Sequence, residues 1–200
     1  MKTTPKLSIF MPVYNLPDLT KRALDSIPFD EDLEVIVVDD GSTDPKVMDV
    51  YKEFEGKIKL FKNGKNMNVG YSRNVALDNC TGEYVFGLDN DDYLYTDEFR
   101  KAMKELDGTD VVFINQRVNG GFVFELCEEN KYHYCAFWTK FVRREFIGDT
   151  RCIGTNRMDD YWFTKDIMAK PHTEKYTGIV AYHYNFPREG SILWNYEHSK

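Results

Sequence analysis

The chain lacks the features of a membrane or secreted protein. No hydrophobic run approaches the ~20 residues that a membrane-spanning helix needs, and the N-terminal MKTTPKLSIF contains no apolar signal-peptide core. An excess of basic residues is also missing, because 33 Asp and Glu outnumber 26 Lys and Arg, for a net charge of −7. This balance argues against a broad surface for nucleic acid or anionic lipid. We therefore expect a cytoplasmic protein, which could still associate with a membrane through its partners.

Cysteine is scarce and irregularly spaced. The chain has four cysteines, Cys80, Cys127, Cys135 and Cys152, and none of them forms a CxxC pair. The gaps between Cys127, His133 and Cys135 fit no usual zinc pattern. We therefore expect structural thiols in a reducing compartment.

Glycine-rich phosphate loops are absent as well. There is no GxGxxG, and Gly64-Lys65 lacks the upstream glycine of a P-loop. An EF-hand starting at Asp89 would need Asp or Asn at its fifth position and Gly at its sixth, where Tyr93 and Leu94 stand. If a diphosphate binds, the remaining device is a divalent cation between carboxylate and phosphate oxygens, and Mg²⁺ or Mn²⁺ suits such ligands.

Strands and helices are predicted to alternate through the first part of the chain. The apolar stretches 7–13, 33–38, 58–61, 84–88 and 111–115 have the length and composition of strands. Segments with helical spacing separate them. This alternation predicts an α/β domain with parallel strands and right-handed crossovers, and the length of 200 residues fits one domain.

The pattern changes after Arg117. Residues 119–121, Asn-Gly-Gly, predict a hairpin whose return strand is 122–126. An aromatic, irregular stretch follows, then a helix that begins at Asp159 and a last strand over 179–184.

Acidic residues directly follow two predicted strands. Asp39-Asp40 ends the second strand, and Asp89-Asn90-Asp91-Asp92 ends the fourth. Ligands of open parallel sheets bind at the carboxyl ends of the strands, so both groups should share a cleft with Tyr14 and Asn15 from the first strand. Taken singly, each group could be only a polar turn or a helix cap.

Five segments together carry a family resemblance. They are FMPVYN (10–15), VIVVDDGSTD (35–44), NVGYSRNVALDNCTGEYVFGLDNDDYL (68–94), MDDYWF (158–163) and YHYNFPREGSI (182–192). In this order and spacing they resemble family 2 glycosyltransferases of the GT-A fold.

The resemblance implies a fold and a division of the chain. The expected fold is a Rossmann-like α/β domain with a mixed, mostly parallel sheet, helices on both faces and a small C-terminal acceptor-side region. Within the single domain 1–200, residues 1–117 would bind the nucleotide sugar, and residues 118–200 would supply the acceptor side and the catalytic base.

The resemblance also implies roles for individual residues. Those on the nucleotide side are Pro12, Tyr14, Asn15, Asp39, Asp40, Arg73, Asp89, Asn90, Arg188 and Ser191. Asp40 matches the aspartate that hydrogen-bonds the nucleobase. Arg188 and Ser191 match a loop that closes over the diphosphate in some members.

The metal ligands and the base follow from the same resemblance. Asp91 of the DxD motif is the first candidate metal ligand, with Asp89 and Asp92 in support. His183 matches a third ligand of some GT-A enzymes, although a core or cleft histidine is the alternative. Asp160 matches the general base of the "ED" motif, where Asp159 departs from the usual Glu; the pair could instead serve only the helix N-terminus.

The implied activity is inverting transfer of a sugar from a nucleotide-sugar donor, expected to be UDP-linked, to a hydroxyl acceptor such as a glycan or other glycoconjugate. A divalent cation and an Asp base would assist it. One alternative is a non-catalytic nucleotide-sugar-binding module. Another is an enzyme acting on protein or on modified DNA bases, for which a basic patch near Lys140, Arg143, Arg144 and Arg151 would be needed. Trp138 and Phe141 could stack on an acceptor sugar or belong to the core.

Overall fold

The N-terminal half alternates strand and helix, as predicted. The computed structural model describes residues 4–30, 32–131, 136–155, 158–186, 188–191 and 195. The first four strands are β1 (Leu7–Val13), β2 (Leu33–Asp39), β3 (Lys59–Lys62) and β4 (Tyr84–Gly87), and the helices between them are α1 (Pro17–Asp25), α2 (Lys46–Glu53) and α3 (Val69–Asn79). These strands pair in parallel in the order β3-β2-β1-β4.

The C-terminal half extends this sheet with strands of both directions. Its strands are β5 (Tyr93–Leu94), β6 (Val111–Val118), β7 (Val123–Phe124), β8 (Lys140–Arg143) and β9 (Glu174–Tyr184). Its helices are α4 (Thr96–Met103), α5 (Arg144–Ile147) and α6 (Asp159–Met168), with a 3-10 turn at Phe137–Thr139. From β4 the order continues β8-β6-β9-β5, and β7 pairs with β6 as the predicted hairpin.

One strand of the sheet, β8, was not predicted. The expected fifth strand, β6, does not pair with β4, because β8 lies between them and is antiparallel to both. β6 therefore points in the same direction as β4, and its parallel partner is β9. The last strand also begins at Glu174 rather than at residue 179.

Hydrophobic layers cover both faces of the sheet. Leu7, Ile9 and Met11 of β1 pack on one face with apolar side chains of α1, α2 and α4. Phe10 lies on the other face with apolar side chains of α3 and α6. This follows from the alternation of side chains along a strand, and it confirms the α/β class with helices on both faces. None of the helices in the described ranges is long and apolar enough to cross a membrane.

The aromatic residues near β8 belong to the core. Trp138 is 6% exposed and stacks on Tyr182 with 4.8 Å between the ring centroids. Phe141 is fully buried against Phe86 and Phe99. Of the two predicted roles for Trp138 and Phe141, the structure therefore shows the core.

A buried carboxylate ties the amino ends of the strands together. Glu34 of β2 accepts hydrogen bonds from Ser8, from Lys59, and from the backbone and hydroxyl of Thr81. Burial alone would raise the pKa of Glu34, but these bonds outweigh it and lower the pKa to about 2. Glu34 thus links β1, β2, β3 and the turn before β4.

The described cysteines are free thiols. Cys80 and Cys152 are buried and Cys127 is exposed. Burial raises the pKa of both buried thiols to about 12, which leaves them protonated and unreactive. Cys135 and His133 lie outside the described residues.

Candidate active site

The ends of three neighbouring strands form the floor of the site. Asp40 directly follows β2, and its N–H donates to the carbonyl of Val13 at the end of β1 at 2.7 Å. Leu88 follows β4 and donates to Phe10 of β1 at 2.9 Å. The order β2-β1-β4 therefore brings the two acidic groups to opposite sides of the chain that leaves β1, as the sequence predicts.

Asn15 shapes this chain segment. It has a left-handed backbone, with φ of 57°, which asparagine tolerates better than most residues. Its side-chain Oδ1 accepts from the backbone N–H groups of Thr43 and Asp44 at 2.8 and 2.9 Å. Tyr14 beside it is 44% exposed, whereas Pro12 is buried within β1. Asn15 therefore binds the loop after β2, and Tyr14 faces solvent.

The two aspartates at the end of β2 hold different loops. Asp40 Oδ1 accepts from the side-chain amide of Asn63 and from the N–H of Met67, both at 2.8 Å. Asp39 Oδ1 accepts from the N–H of Ser42 at 2.7 Å. Both aspartates are buried, at 4% and 2% exposure. Asp40 thus fixes the loop that precedes α3, while Asp39 fixes its own turn.

Gly41 lets these loops approach each other. Its φ is 76°, and a Cβ there would lie 2.4 Å from the backbone carbon of Lys65. A side chain would therefore separate the loop after β2 from the loop that Asp40 holds.

Arg73 joins the acidic turn after β4, which is residues 89–92, to the start of α6. Its guanidinium donates to Asp159 Oδ2 at 2.7 Å and to Asp89 Oδ1 at 2.9 Å, and it lies over the ring of Phe137 at 5.2 Å. Burial opposes the charge of Arg73, but Asp89 and Asp159 hold its pKa well above the ordinary value. Burial raises the pKa of each aspartate, against the lowering effect of Arg73.

Gly70 makes this contact between α3 and the segment before α6 possible. Its N–H donates to the carbonyl of Thr155 at 3.2 Å. A Cβ at this position would lie 2.3 Å from the carbonyl oxygen of Ile153 and 3.2 Å from the Cβ of Asp159. The absence of a side chain therefore sets how closely Asp159 approaches Arg73.

Asp160 lies in the first turn of α6 beside this ion pair. It is half-buried, and its Oδ1 accepts from the N–H of Tyr161 at 2.9 Å. Its negative charge contributes to the raised pKa of Asp89, of Asp159 and of Arg73. The structure therefore brings the aspartates of the "ED" position and of the strand end together around one arginine.

Asp91 and Asn90 face other elements. Asp91 Oδ2 accepts from Arg188 Nε at 2.6 Å, with both side chains about one-fifth exposed. Asn90 donates to the hydroxyl of Thr20 at 3.0 Å. The N–H of Ser191 donates to the carbonyl of Arg188 at 3.0 Å, so the predicted C-terminal loop does reach the acidic turn.

Asp92 differs from its neighbours. It is 1% exposed, and its oxygens accept from the hydroxyl of Tyr182 at 2.6 Å and from the N–H of Asn185 at 2.8 Å. Burial, followed by the charges of Asp91 and Asp89, raises the pKa of Asp92 well above its ordinary value. Its described contacts are therefore with the end of β9.

His183 sits among aromatic and cationic groups. Its ring stacks on Tyr93 at 4.1 Å, and its Nδ1 lies 3.0 Å from the hydroxyl of Tyr95. Burial, then the charges of Arg22 and Arg117, lowers the pKa of His183. These contacts match the cleft-histidine alternative, and positive neighbours disfavour a cation at this ring.

A cation at these carboxylates would have to share its ligands with a phosphate. Within the described ranges, no group of three or more His, Cys, Asp and Glu side chains could hold a metal ion. Asp89 and Asp91 each use one oxygen in an ion pair with arginine and keep a second oxygen. Mg²⁺ is commonly bound by one or two carboxylates together with substrate phosphates, and these two aspartates match that mode.

Several contacts of the acidic turn could not be found from the sequence. Arg22 of α1 donates to the carbonyl of Asp91 at 2.6 Å, and Tyr182 reaches Asp92 from β9. Tyr184 lies near the acidic groups, since burial and then the charges of four aspartates raise its pKa. Tyr182 and Tyr184 both lie in the segment YHYNFPREGSI (182–192), but Arg22 carries no signal in its spacing.

Comparison with known proteins identifies the family. A model of glycosyl transferase family 2 matches residues 8–163. Glycosyltransferase GlyA of Streptococcus pneumoniae is 31% identical over 110 residues, which are 53% of this chain and 16% of GlyA. The poly(ribitol-phosphate) beta-N-acetylglucosaminyltransferase TarS of Staphylococcus aureus is 27% identical over 211 residues, 94% of this chain and 37% of TarS.

Solved structures show the same fold. The crystal structure of S. aureus TarS 1-349 in complex with UDP-GlcNAc matches with a TM-score of 0.81 and 23% identity, over 94% of this chain and 60% of that chain. The mannosyltransferase PcManGT from Pyrobaculum calidifontis, in complex with GDP-Man and Mn²⁺, matches with a TM-score of 0.73 and 20% identity, over 96% and 60%. The chain thus spans less than two thirds of these relatives. Its fold is GT-A, and the match over 8–163 shows that the chain belongs to glycosyl transferase family 2.

Proposed function

We propose that this chain transfers a sugar, with inversion, from a nucleotide-sugar donor to a hydroxyl acceptor. The observation that carries the proposal is the buried Arg73, which pairs with Asp89 after β4 and with Asp159 at the start of α6. The proposal is supported by this bridge because it joins Asp89 to Asp159, the chain neighbour of the candidate base Asp160. UDP-linked donors are favoured because TarS, a relative over 94% of this chain, binds UDP-GlcNAc in its crystal structure.

The donor would lie along the ends of β1, β2 and β4. Asp40 is fixed by Asn63 and Met67, and its second carboxylate oxygen would accept a hydrogen bond from the nucleobase of the donor. The exposed ring of Tyr14 offers a face for stacking on the nucleoside. Arg188, with Ser191 in the same loop, would turn from Asp91 to the diphosphate.

Asp91 and Asp89 would hold a divalent cation, Mn²⁺ or Mg²⁺, at the diphosphate. Such a cation neutralises the charge that develops on the leaving diphosphate. Arg73 lies beside Asp89 and adds a fixed positive charge on the same side.

Asp160 would act as the general base. Its partner Asp159 is 3% exposed and occupied by Arg73, whereas Asp160 is half-buried and has one oxygen without a described donor. As the acceptor oxygen attacks the anomeric carbon, its proton passes to that carboxylate oxygen, and the bond to the nucleoside diphosphate breaks. Direct attack from the opposite face inverts the anomeric centre. A positioned base typically contributes about 10²- to 10⁴-fold in rate.

The donor site can be tested by thermal unfolding. UDP with Mn²⁺ at 100 times the dissociation constant should stabilise the protein by about 2.7 kcal/mol, which raises the melting temperature by roughly 5–10 °C for a chain of this size. Asp91→Ala should abolish the effect. Asp97→Ala is the matched control, because that side chain is 90% exposed on α4. An unchanged melting curve with every nucleoside diphosphate would contradict the donor site.

The base can be tested separately from binding. Asp160→Asn should keep the UDP-dependent stabilisation but lose sugar transfer by about 10²-fold or more. Asp166→Asn, at an exposed position of the same helix, is the control. Transfer by Asp160→Asn at a near wild-type rate would place the base elsewhere.

The two alternatives make different predictions. A non-catalytic binding module would bind UDP-sugar without the slow hydrolysis expected of an enzyme. Action on DNA bases would need a free basic patch, but the residues proposed for it are engaged. Arg143 pairs with Glu145 and Arg151 with Asp78, while Lys140 is 1% exposed. We therefore favour a glycan or other polyhydroxyl acceptor, in line with the poly(ribitol-phosphate) in the name of TarS.

A further inference from the structure

Asp92 is the most buried carboxylate of the acidic turn. Its residue is 1% exposed, whereas the side chains of Asp89 and Asp91 are 32% and 21% exposed. Each of its oxygens already accepts a short hydrogen bond, from the hydroxyl of Tyr182 at 2.6 Å and from the N–H of Asn185 at 2.8 Å. A buried carboxylate with both oxygens bonded serves the protein rather than an incoming ligand.

Tyr182 of β9 and Asn185, which follows β9, also contact the rest of the turn. The hydroxyl of Tyr182 lies 3.4 Å from the N–H of Asp89, and the side-chain amide of Asn185 donates to the carbonyl of Asp91 at 3.3 Å. Arg22 donates to that carbonyl from the other side at 2.6 Å. The turn is therefore clasped between α1 and the end of β9.

These hydrogen bonds also fix the start of the segment that carries Arg188. Asn185 is held by Asp92, and three residues later Arg188 Nε donates to Asp91 Oδ2 at 2.6 Å. A fixed point at Asn185 limits the volume that the Arg188 side chain can search. Pre-organisation of this kind lowers the entropy cost of binding.

We propose that Asp92 is a positioning residue that acts through Tyr182 and Asn185 to hold Asp91 and Arg188 for the diphosphate and its cation. The proposal rests on the function proposed above, and it replaces the expectation that Asp92 is itself a metal ligand. Tyr182, whose hydroxyl bonds Asp92, belongs to the same positioning unit.

The test compares variants of the two partners. The variants are Asp92→Asn, Tyr182→Phe and the double variant, with Asp91→Asn as a ligand-loss reference. Tyr84→Phe is the matched control, because Tyr84 is a buried tyrosine whose hydroxyl donates to the carbonyl of Thr109 at 2.9 Å, outside the acidic turn. The measured quantity is the dissociation constant of UDP at saturating Mn²⁺, by titration calorimetry of the full chain. If Asp92 and Tyr182 had only a structural role, their variants would behave like Tyr84→Phe: the melting temperature would change, and the dissociation constant of UDP would not.

A positioning role predicts a specific pattern. Tyr182→Phe and Asp92→Asn should each weaken UDP–Mn²⁺ binding about tenfold, the effect of losing one hydrogen bond to a charged group. The double variant should be no weaker than the weaker single variant, because both changes break one unit. Tyr84→Phe should bind like the wild type.

Other results would overturn the inference. If Asp92→Asn weakens UDP binding at saturating Mn²⁺ as strongly as Asp91→Asn does, while Tyr182→Phe binds UDP like the wild type, Asp92 is a ligand. If the losses of the two single variants add in the double variant, the two residues do not act together. A wild-type chain that binds no nucleoside diphosphate would instead refute the function proposed above.

A measurement without nucleotide on Tyr182→Phe keeps the inference testable if Asp92→Asn does not fold. Hydrogen exchange of the Asn185 amide reports the bond to Asp92 directly. Tyr182→Phe, which keeps the ring that stacks on Trp138, should accelerate this exchange at least several-fold relative to Tyr84→Phe. An unchanged exchange rate would show that Tyr182 does not hold Asp92 in its hydrogen bond to Asn185, which would refute the inference.

Discussion

Replacing Arg73 by methionine removes the cation on which both sides of the site depend. In the native protein Arg73 is 5% exposed, and its guanidinium lies 2.7 Å from Asp159 and 2.9 Å from Asp89. Asp159 is itself only 3% exposed, so the variant leaves a buried carboxylate without its counter-charge. Breaking a buried pair in this way costs about 3–5 kcal/mol, and we expect Arg73→Met to lower the free energy of unfolding by that amount.

A second substitution tests whether the unpaired charge of Asp159 causes the loss of stability. If the cost arises from the stranded charge, Asp159→Asn should restore stability to the Arg73→Met variant, although Asp159→Asn destabilises the wild type. The cost should also depend on pH. Burial already raises the pKa of Asp159 against the effect of Arg73, and without Arg73 the rise is larger. A carboxyl group whose pKa is raised by folding stabilises the fold at low pH and loses this contribution as the pH rises through its folded pKa.

Urea unfolding followed by circular dichroism at pH 5 and pH 8 measures both effects. Arg100→Met is the matched control, since Arg100 is 44% exposed and pairs with Asp30 and Asp97 at the surface. Such exposed pairs contribute about 0–1 kcal/mol. The reasoning is refuted if Arg73→Met costs no more than Arg100→Met, or if Asp159→Asn makes the Arg73→Met variant less stable.

Three further changes test other parts of the structure. Glu34→Gln should cost about 3 kcal/mol at pH 7, from a pKa of about 2 in the fold against an ordinary 4.5. Because that pKa is lowered, the difference from the wild type should shrink as the pH falls from 4.5 towards 2, and a difference independent of pH in unfolding experiments would contradict this. Gly70→Ala should cost about 1–3 kcal/mol, because its Cβ would lie 2.3 Å from a carbonyl oxygen; Gly64→Ala, with nothing within 4 Å, should not. Arg188→Ala should tighten Mn²⁺ binding without nucleotide and weaken UDP binding in the presence of Mn²⁺, each by about fivefold for a part-buried pair, as measured by titration with Mn²⁺ and with UDP; equal affinities in Arg188→Ala and the wild type would show that Arg188 and the cation do not compete.

The N-terminal sheet was predictable because its signals are local. β1 and β2 are nearly continuous apolar runs, interrupted only by Ser8 and Glu34 near their starts, and each ends abruptly in polar turn residues. Such runs fit strands buried on both faces, and the helices between them leave few topologies. The prediction failed at β8, a four-residue strand inside an aromatic stretch. Its place between β4 and β6 depends on pairing across the sheet, which a single short segment does not specify.

The resemblance named candidate residues for the site but not their contacts. The resemblance pointed to Asp89, Asp91, Asp160 and Arg73, and in the structure the charges of Asp89 and Asp160 act on Arg73 while that of Asp91 acts on Asp89. It could not show which carboxylate oxygens are already bonded. Tyr182 meets Asp92 from a position 90 residues along the chain, and neither residue's type or spacing marks the pair.

The compensation of charge in the acidic turn has a consequence for how the site would bind its ligands. Clustered carboxylates repel one another, yet Asp89 and Asp91 each face an arginine and Asp92 is bonded to β9. The turn therefore needs no cation to be stable. A cation that enters must compete with Arg188 for Asp91, so its affinity for the chain alone should be low. The diphosphate offers Arg188 another partner and adds its own oxygens to the cation. Cation and nucleotide should therefore bind together, each raising the affinity of the site for the other by the same factor.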